Sequence, residues 1–298
     1  MDRLGQWILS LALGWLAISG PAYGTTVGPV ERAYDSYMEV HEKTRGWSTA
    51  DRESEMANAF DARFSSYFEA PLAQLNDKEL GLLFAATNVA HAYSIRETYL
   101  EKMLDAFEVL RRRDAVSQRI HADLYGALVA SRRFDQARKL AMEFPQWPVE
   151  ILPAIHHQAS RGRTALKVVG SAGLEQIPVE VEHGPRIVVI SHPLCHFSQH
   201  AVAAIEQDSA LSKIMADSLW LAPVDRKLYV DVLAQWNQAH PAHEIMIAYD
   251  RAPWPAFASW STPTFYFLRD GKLMSVVEGW PDEGNREKLL SAARGIGL

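Results

Sequence analysis

The chain contains a single cysteine, Cys195, and its neighbours make it the residue best placed for chemistry. It follows the β-branched run Ile187-Val-Val-Ile190 and the loop Ser191-His-Pro-Leu194, and the segment His196-Phe-Ser198 after it opens a helical stretch. A thiol in the first turn of a helix faces backbone N–H groups without intrahelical partners and the positive end of the helix dipole. Both favour thiolate, the nucleophilic form. His196, directly after the cysteine, adds positive charge when protonated, and His200 lies one turn further on. A lone cysteine forms no disulfide within its own chain. In an oxidising compartment it is an inert packing residue, an intermolecular link or a reactive thiol.

Imidazole and thiolate also suit copper or zinc, so His192, Cys195, His196 and His200 offer a metal-capture alternative. His192 precedes a proline, and Cys195 and His196 are adjacent, which makes one shared ion awkward; the expectation is no metal. The sequence has no Gly-rich phosphate loop, no Gly-x-Ser-x-Gly elbow and no His-Glu-x-x-His pair, and it implies no cofactor. With 298 residues, a net charge of -6 and 48% hydrophobic residues, it has material for two ordinary domains, and neither disorder nor a basic nucleic-acid surface is expected.

The compartment is read from the N-terminus. Met1-Asp-Arg3 precedes the apolar run Trp7 to Ile18, and Pro21-Ala-Tyr-Gly24 follows with small residues where a signal peptidase would cut. A bilayer needs roughly 20 apolar residues, more than this run supplies. The expectation is a signal peptide over 1–24, cleavage before Thr25, a periplasmic or secreted location, and no membrane span afterwards.

Two kinds of periodicity follow. From about 28 to 158 apolar residues recur three and four apart, as in Leu100, Met103, Leu104, Phe107 and Leu110, which predicts roughly five to seven antiparallel helices. Asn76 with Glu79 reads as a capping box. The stretch Leu124 to Ala141, closed by Phe144-Pro145, resembles half of a tetratricopeptide repeat or an ordinary helical hairpin. Prolines and polar residues between 144 and 163 read as the connection between a helical domain, 25–160, and a second domain, 161–298. The second domain has strand candidates at 166–169, 177–181, 186–190, 218–222, 244–248, 264–268 and 273–277. Helices are expected at 197–216, 226–238 and 284–295. Alternating strands and helices imply a mainly parallel sheet, and Arg269-Asp-Gly271 closes a terminal hairpin.

Two separated segments carry a family resemblance. The strand, loop and Cys195-His-Phe-Ser198, together with Ser261-Thr-Pro-Thr-Phe-Tyr-Phe-Leu-Arg-Asp-Gly-Lys-Leu273, resemble the thioredoxin-like superfamily over roughly residues 165 to 298. With the helical periodicity ahead of it, the expectation is an α+β two-domain chain: an all-α bundle or hairpin array, then the thioredoxin-like α/β domain on a mixed sheet that the resemblance implies. The resemblance also implies a cis peptide bond at Pro263 and a free backbone at Thr262 that hydrogen-bonds an extended substrate peptide. Trp254, Phe257 and Trp260 either form an apolar rim beside it, with Trp260 against the substrate, or belong to the core, the commoner place for such residues.

Two positions depart from the pattern: Ser198 stands where a resolving cysteine usually sits, and Val189 where many relatives bury an acid. Serine cannot expel Cys195 from a mixed disulfide, so dithiol reduction within one chain is excluded. Monothiol disulfide exchange or isomerisation remains, with protein or peptide thiols and disulfides as partners and glutathione or a partner reductase as the releasing thiol. The alternative is a non-catalytic peptide-binding or chaperone-like module.

Overall fold

The computed structural model describes residues 27–156, 162–170 and 173–298. The signal-peptide expectation, with its cleavage point, and the division at 160/161 lie outside the described residues. Among them, no helix is long and apolar enough to cross a membrane.

The first half is helical. It comprises α1 (Pro29–Lys43), α2 (Thr49–Glu69), α3 (Asp77–Ser94), α4 (Glu97–Arg112), α5 (Gln118–Ala130) and α6 (Phe134–Glu143). Polar caps set several starts. Ser48 accepts from the Asp51 amide to open α2, and Ser117 accepts from the Ile120 amide to open α5. Asn76 and Glu79 form the reciprocal capping box at the start of α3, with both bonds at 3.0 Å. A cap of this kind is worth about 1 kcal/mol. Helix α5 turns into α6 at Arg132, which takes a left-handed conformation, and Ala137 is fully buried where the pair crosses.

The second half builds one eight-stranded sheet. Its strands are β1 (Ala154–His156), β2 (Thr164–Val169), β3 (Gly173–Pro178), β4 (Pro185–Ile190), β5 (Leu219–Ala222), β6 (Ile245–Ala248), β7 (Thr264–Arg269) and β8 (Lys272–Glu278), in the order β1-β3-β2-β6-β5-β4-β7-β8. Its helices are α7 (His196–Gln207), α8 (Ser209–Met215), α9 (Val230–Ala239) and α10 (Arg286–Ile296). The expectation of a mainly parallel sheet is corrected: β4, β5 and β6 run parallel, but β7, β8 and β2 pair antiparallel with their neighbours. The sheet is mixed because a hairpin closes one side and a second antiparallel pair extends the other.

Several boundaries also move. The stretch expected as one helix over 197–216 breaks at Asp208, whose carboxylate accepts from the Ala210 and Leu211 amides and caps α8. Helix α9 begins at Val230 because Tyr229 is left-handed, at φ 51°. The expected strand over 177–181 ends at Pro178, and β1 forms inside the presumed connection. At the terminal hairpin, Asp270 and Gly271 both have positive φ, 48° and 72°, the backbone a tight two-residue turn requires.

The last four residues of β4 are all buried, which is why it reads as an unbroken apolar run. Alternation sends them to two faces. Ile187 and Val189 join the core formed with α7, α10 and the helical half, whereas Val188 and Ile190 join a cluster with Tyr266, Trp254, Phe257 and Trp260. The helical half is fastened to the sheet by polar contacts as well. Arg132 donates to the carbonyls of Ala248 and Tyr249 at 2.6 and 2.8 Å, and the Glu150 carboxylate accepts from the Leu228 and Tyr229 amides.

Candidate functional site

Strand register creates the site. Strand β4 pairs antiparallel with β7, and Ile190 lies opposite Thr264. The segment leaving β4 and the segment entering β7 therefore emerge at the same end of the sheet. The first carries Cys195 at the N-cap of α7; the second carries the Thr262–Pro263 peptide bond, which is cis. The Cys195 thiol donates to the Thr262 carbonyl oxygen, with Sγ 3.2 Å away.

Both loops are tied down locally. The Cys195 amide donates to the His192 carbonyl at 3.0 Å, and the Gln199 amide donates to the Cys195 carbonyl to start α7. On the other side the Thr264 hydroxyl donates to the Ser261 carbonyl at 2.7 Å, and the Gly279 amide donates to the Pro263 carbonyl at 2.8 Å. The helical half reaches this loop too, since the hydroxyls of Thr49 and Ser261 stand 3.3 Å apart.

Burial on its own would raise the Cys195 thiol. The Thr262 hydroxyl, the Ser198 amide and hydroxyl, and the Phe197 amide together outweigh it and hold the thiol below its ordinary value. Cys195 is half-buried, flanked by exposed Leu194 and Phe197. Ser198 is fully buried, and the His192 amide approaches its hydroxyl at 3.4 Å. In this arrangement the sulfur is open to a partner while its anion has donors inside the protein.

The other expected residues divide. Cys195, Ser198, Thr262 and Pro263 come together. His196 is exposed, its ring tilted against that of Phe197 with centres 3.8 Å apart, and makes no hydrogen bond to Cys195 among the described residues. Trp260 packs with Trp254 and Phe257 in the cluster that covers the second apolar face of the sheet, the core placement of the two that the sequence left open, and Phe257 stacks on Tyr266 at 3.8 Å. An uncovered face of Val188, Ile190 and Tyr266 would cost far more than an exposed indole edge gains.

Among the described residues no three His, Cys, Asp or Glu side chains gather to hold an ion. The His192 Nδ1 is already used, accepting from the Leu194 amide at 3.1 Å. Burial keeps that ring below its ordinary pKa, against the opposing pull of Asp225, and its edge rests on Tyr229 with ring centres 5.2 Å apart. Tyr229 and the Thr262 hydroxyl escape sequence reasoning. One belongs to a loop whose path depends on Glu150, and the other is an ordinary threonine until the sulfur is placed beside it.

No family model matches the chain, and no curated protein matches it. Among solved structures it is similar to a thioredoxin-like protein from Bacteroides caccae, at 13% identity and a TM-score of 0.28, covering 97% of this chain and 99% of that one.

Proposed function

We propose that this chain is an exported thioredoxin-like protein that performs monothiol disulfide exchange or isomerisation through Cys195. The observation that carries the reading is the pairing of a helix-capping thiol with the carbonyl of Thr262, one residue before a cis proline. Residues 161–298 would form the thioredoxin-like domain and 25–160 a helical domain that selects partners. The apolar N-terminal run supports export to a periplasmic or extracellular space.

The chemistry balances with one sulfur. The Cys195 thiolate attacks one sulfur of a substrate disulfide, forming a mixed disulfide and releasing the other sulfur as a thiolate that takes a proton from solvent. A second thiol, from the substrate, glutathione or a partner reductase, then attacks the substrate sulfur and releases Cys195 as thiolate. Ser198 and Thr262 steady the anion before attack and after release. The backbone at Thr262 would align the substrate as an added strand.

The test is to incubate the purified chain with a disulfide-bearing peptide at neutral pH and follow the protein mass. A mixed disulfide on Cys195 that added glutathione discharges is expected, with none on a Cys195→Ser variant. The second reading, a non-catalytic peptide-binding module, is favoured by the exposed Leu194 and Phe197 beside a thiol without a resolving partner. It predicts that no adduct forms and that peptide binding survives Cys195→Ala unchanged.

A further inference from the structure

Where the helical half meets the sheet, two adjoining cavities of about 610 and 300 Å³ open, sharing Ile95, Ala130, Val224, Arg251 and Trp260. Those volumes fall in the range of small-molecule sites.

Four guanidiniums line them, those of Arg96, Arg132, Arg226 and Arg251, and burial pulls the last three below their ordinary values. Of those three, two have structural employment. Arg132 donates to the carbonyls of Ala248 and Tyr249, and Arg226 pairs with Asp123 at 3.6 Å. Arg251 has none: its buried Nε lacks a hydrogen-bond partner, and among the described residues no carboxylate reaches ion-pair distance of it. Its defined contact is with the face of Trp260, the guanidinium carbon 5.7 Å from the ring centre. Glu53 and Asp225 act on it only through space.

Glu53, Glu97, Asp225 and Asp250 also line the two cavities. Glu97 pairs with Arg133, and Asp250 accepts from the Ala252 amide. In the inner chamber Asp225, which accepts from the Arg226 amide at 2.6 Å, is the one lining carboxylate, and Arg226 has Asp123 as its own ion-pair partner. Fully buried His91 lines the same chamber, with its Nδ1 also unpartnered. A half-buried guanidinium without a hydrogen-bond partner gains from a carboxylate set on its fork.

The backbone adds an independent mark. Ile95, shared by both cavities, is a β-branched residue at φ 52°. Isoleucine is disfavoured in this left-handed conformation, which here forms the C-cap of α3, and backbone outliers of this kind concentrate at ligand sites.

We propose that this junction binds a small organic carboxylate, its charged group on Arg251 in the inner chamber and its apolar part against Trp260. Arg251 supplies a planar fork that matches a carboxylate, and the indole supplies a flat apolar wall. This site is separate from Cys195 and does not depend on the exchange reaction.

Calorimetric titration of the full chain with phenylacetate, and in parallel with its neutral isostere phenylacetamide, tests the assignment. Saturable binding of phenylacetate to one site is expected, at least about tenfold tighter than phenylacetamide, unchanged in Cys195→Ser and weakened about tenfold or more in Arg251→Gln. Absence of saturable phenylacetate binding, equal binding of the amide, or full affinity in a folded Arg251→Gln protein would each overturn it. If Arg251→Gln does not fold, the acid and amide comparison on the unaltered chain decides alone.

Discussion

Gly126 on α5 leaves the space that the Arg226 side chain fills: a β-carbon there would stand 2.7 Å from Arg226 Nε and 3.1 Å from its Cβ. Alanine normally stabilises a helix interior over glycine by about 1 kcal/mol. Here the sign inverts, because the methyl group pushes Arg226 off Asp123 and parts α5 from the loop before α9. Gly126→Ala is expected to lower the melting temperature. Gly81→Ala on α3, where nothing lies within 4 Å, is expected to raise it or leave it unchanged. Melting both variants beside the parent checks the contrast.

Thiolate formation at Cys195 is predicted to reach its midpoint below that of an ordinary free thiol. The rate of alkylation against pH reports that midpoint directly. Removing a donor removes stabilisation of the anion, so Ser198→Ala and Thr262→Val should each move the midpoint upward. The carbonyl of Thr262 and the cis bond are untouched by the second change. A midpoint at or above that of a free thiol in the unaltered chain would refute the assignment of these donors.

How far the sequence discloses this molecule depends on the range of each interaction. The Asn76 and Glu79 box is legible because both bonds close within three residues, and the buried run of β4 is legible because composition alone marks a strand covered on both sides. The closeness of Cys195 and Thr262, 67 residues apart, is legible only through a family resemblance that supplies the topology. Trp260 is only half legible because an indole next to a loop fits a rim or, more often, a core; the parity of Val188 and Ile190 on β4 decides which face needs covering. Arg251 is invisible in the sequence, since an arginine between Asp250 and Ala252 reads as a solvated loop residue until the helices close over it.

Glu150 anchors the turn that carries Tyr229 by accepting from two successive amides, Leu228 at 2.9 Å and Tyr229 at 2.8 Å. Glu150→Ala strands both N–H groups and is expected to destabilise the fold by about 2 kcal/mol. Because Tyr229 braces the His192 ring, the same change should loosen the loop before Cys195 and alter its alkylation rate. Urea unfolding and alkylation on one preparation check both effects. A stability loss with an unchanged alkylation rate would separate the turn from the thiol loop.

His91 gives the clearest dependence on acid. Burial, reinforced by the charge of Arg226, depresses its pKa from 6.5 to about 4, while its Nε2 stays bonded to the Ser131 hydroxyl at 2.8 Å. Above the ordinary histidine pKa the ring is neutral in both folded and unfolded chains, and its contribution to stability is fully present. As pH falls from about 6.5 toward 4, the unfolded chain takes up a proton that the folded chain refuses. Stability therefore declines through that window, by about 3 kcal/mol for this ring, at 1.36 kcal/mol per pKa unit. His121 and His243 are also depressed, chiefly by burial, and add to the loss with the same sign. His91→Gln keeps an amide within reach of Ser131 but cannot titrate, so its unfolding free energy should fall less steeply over the window than that of the parent. Urea unfolding across a pH series checks this, and parallel curves for the two proteins would show that His91 is not the ring that titrates.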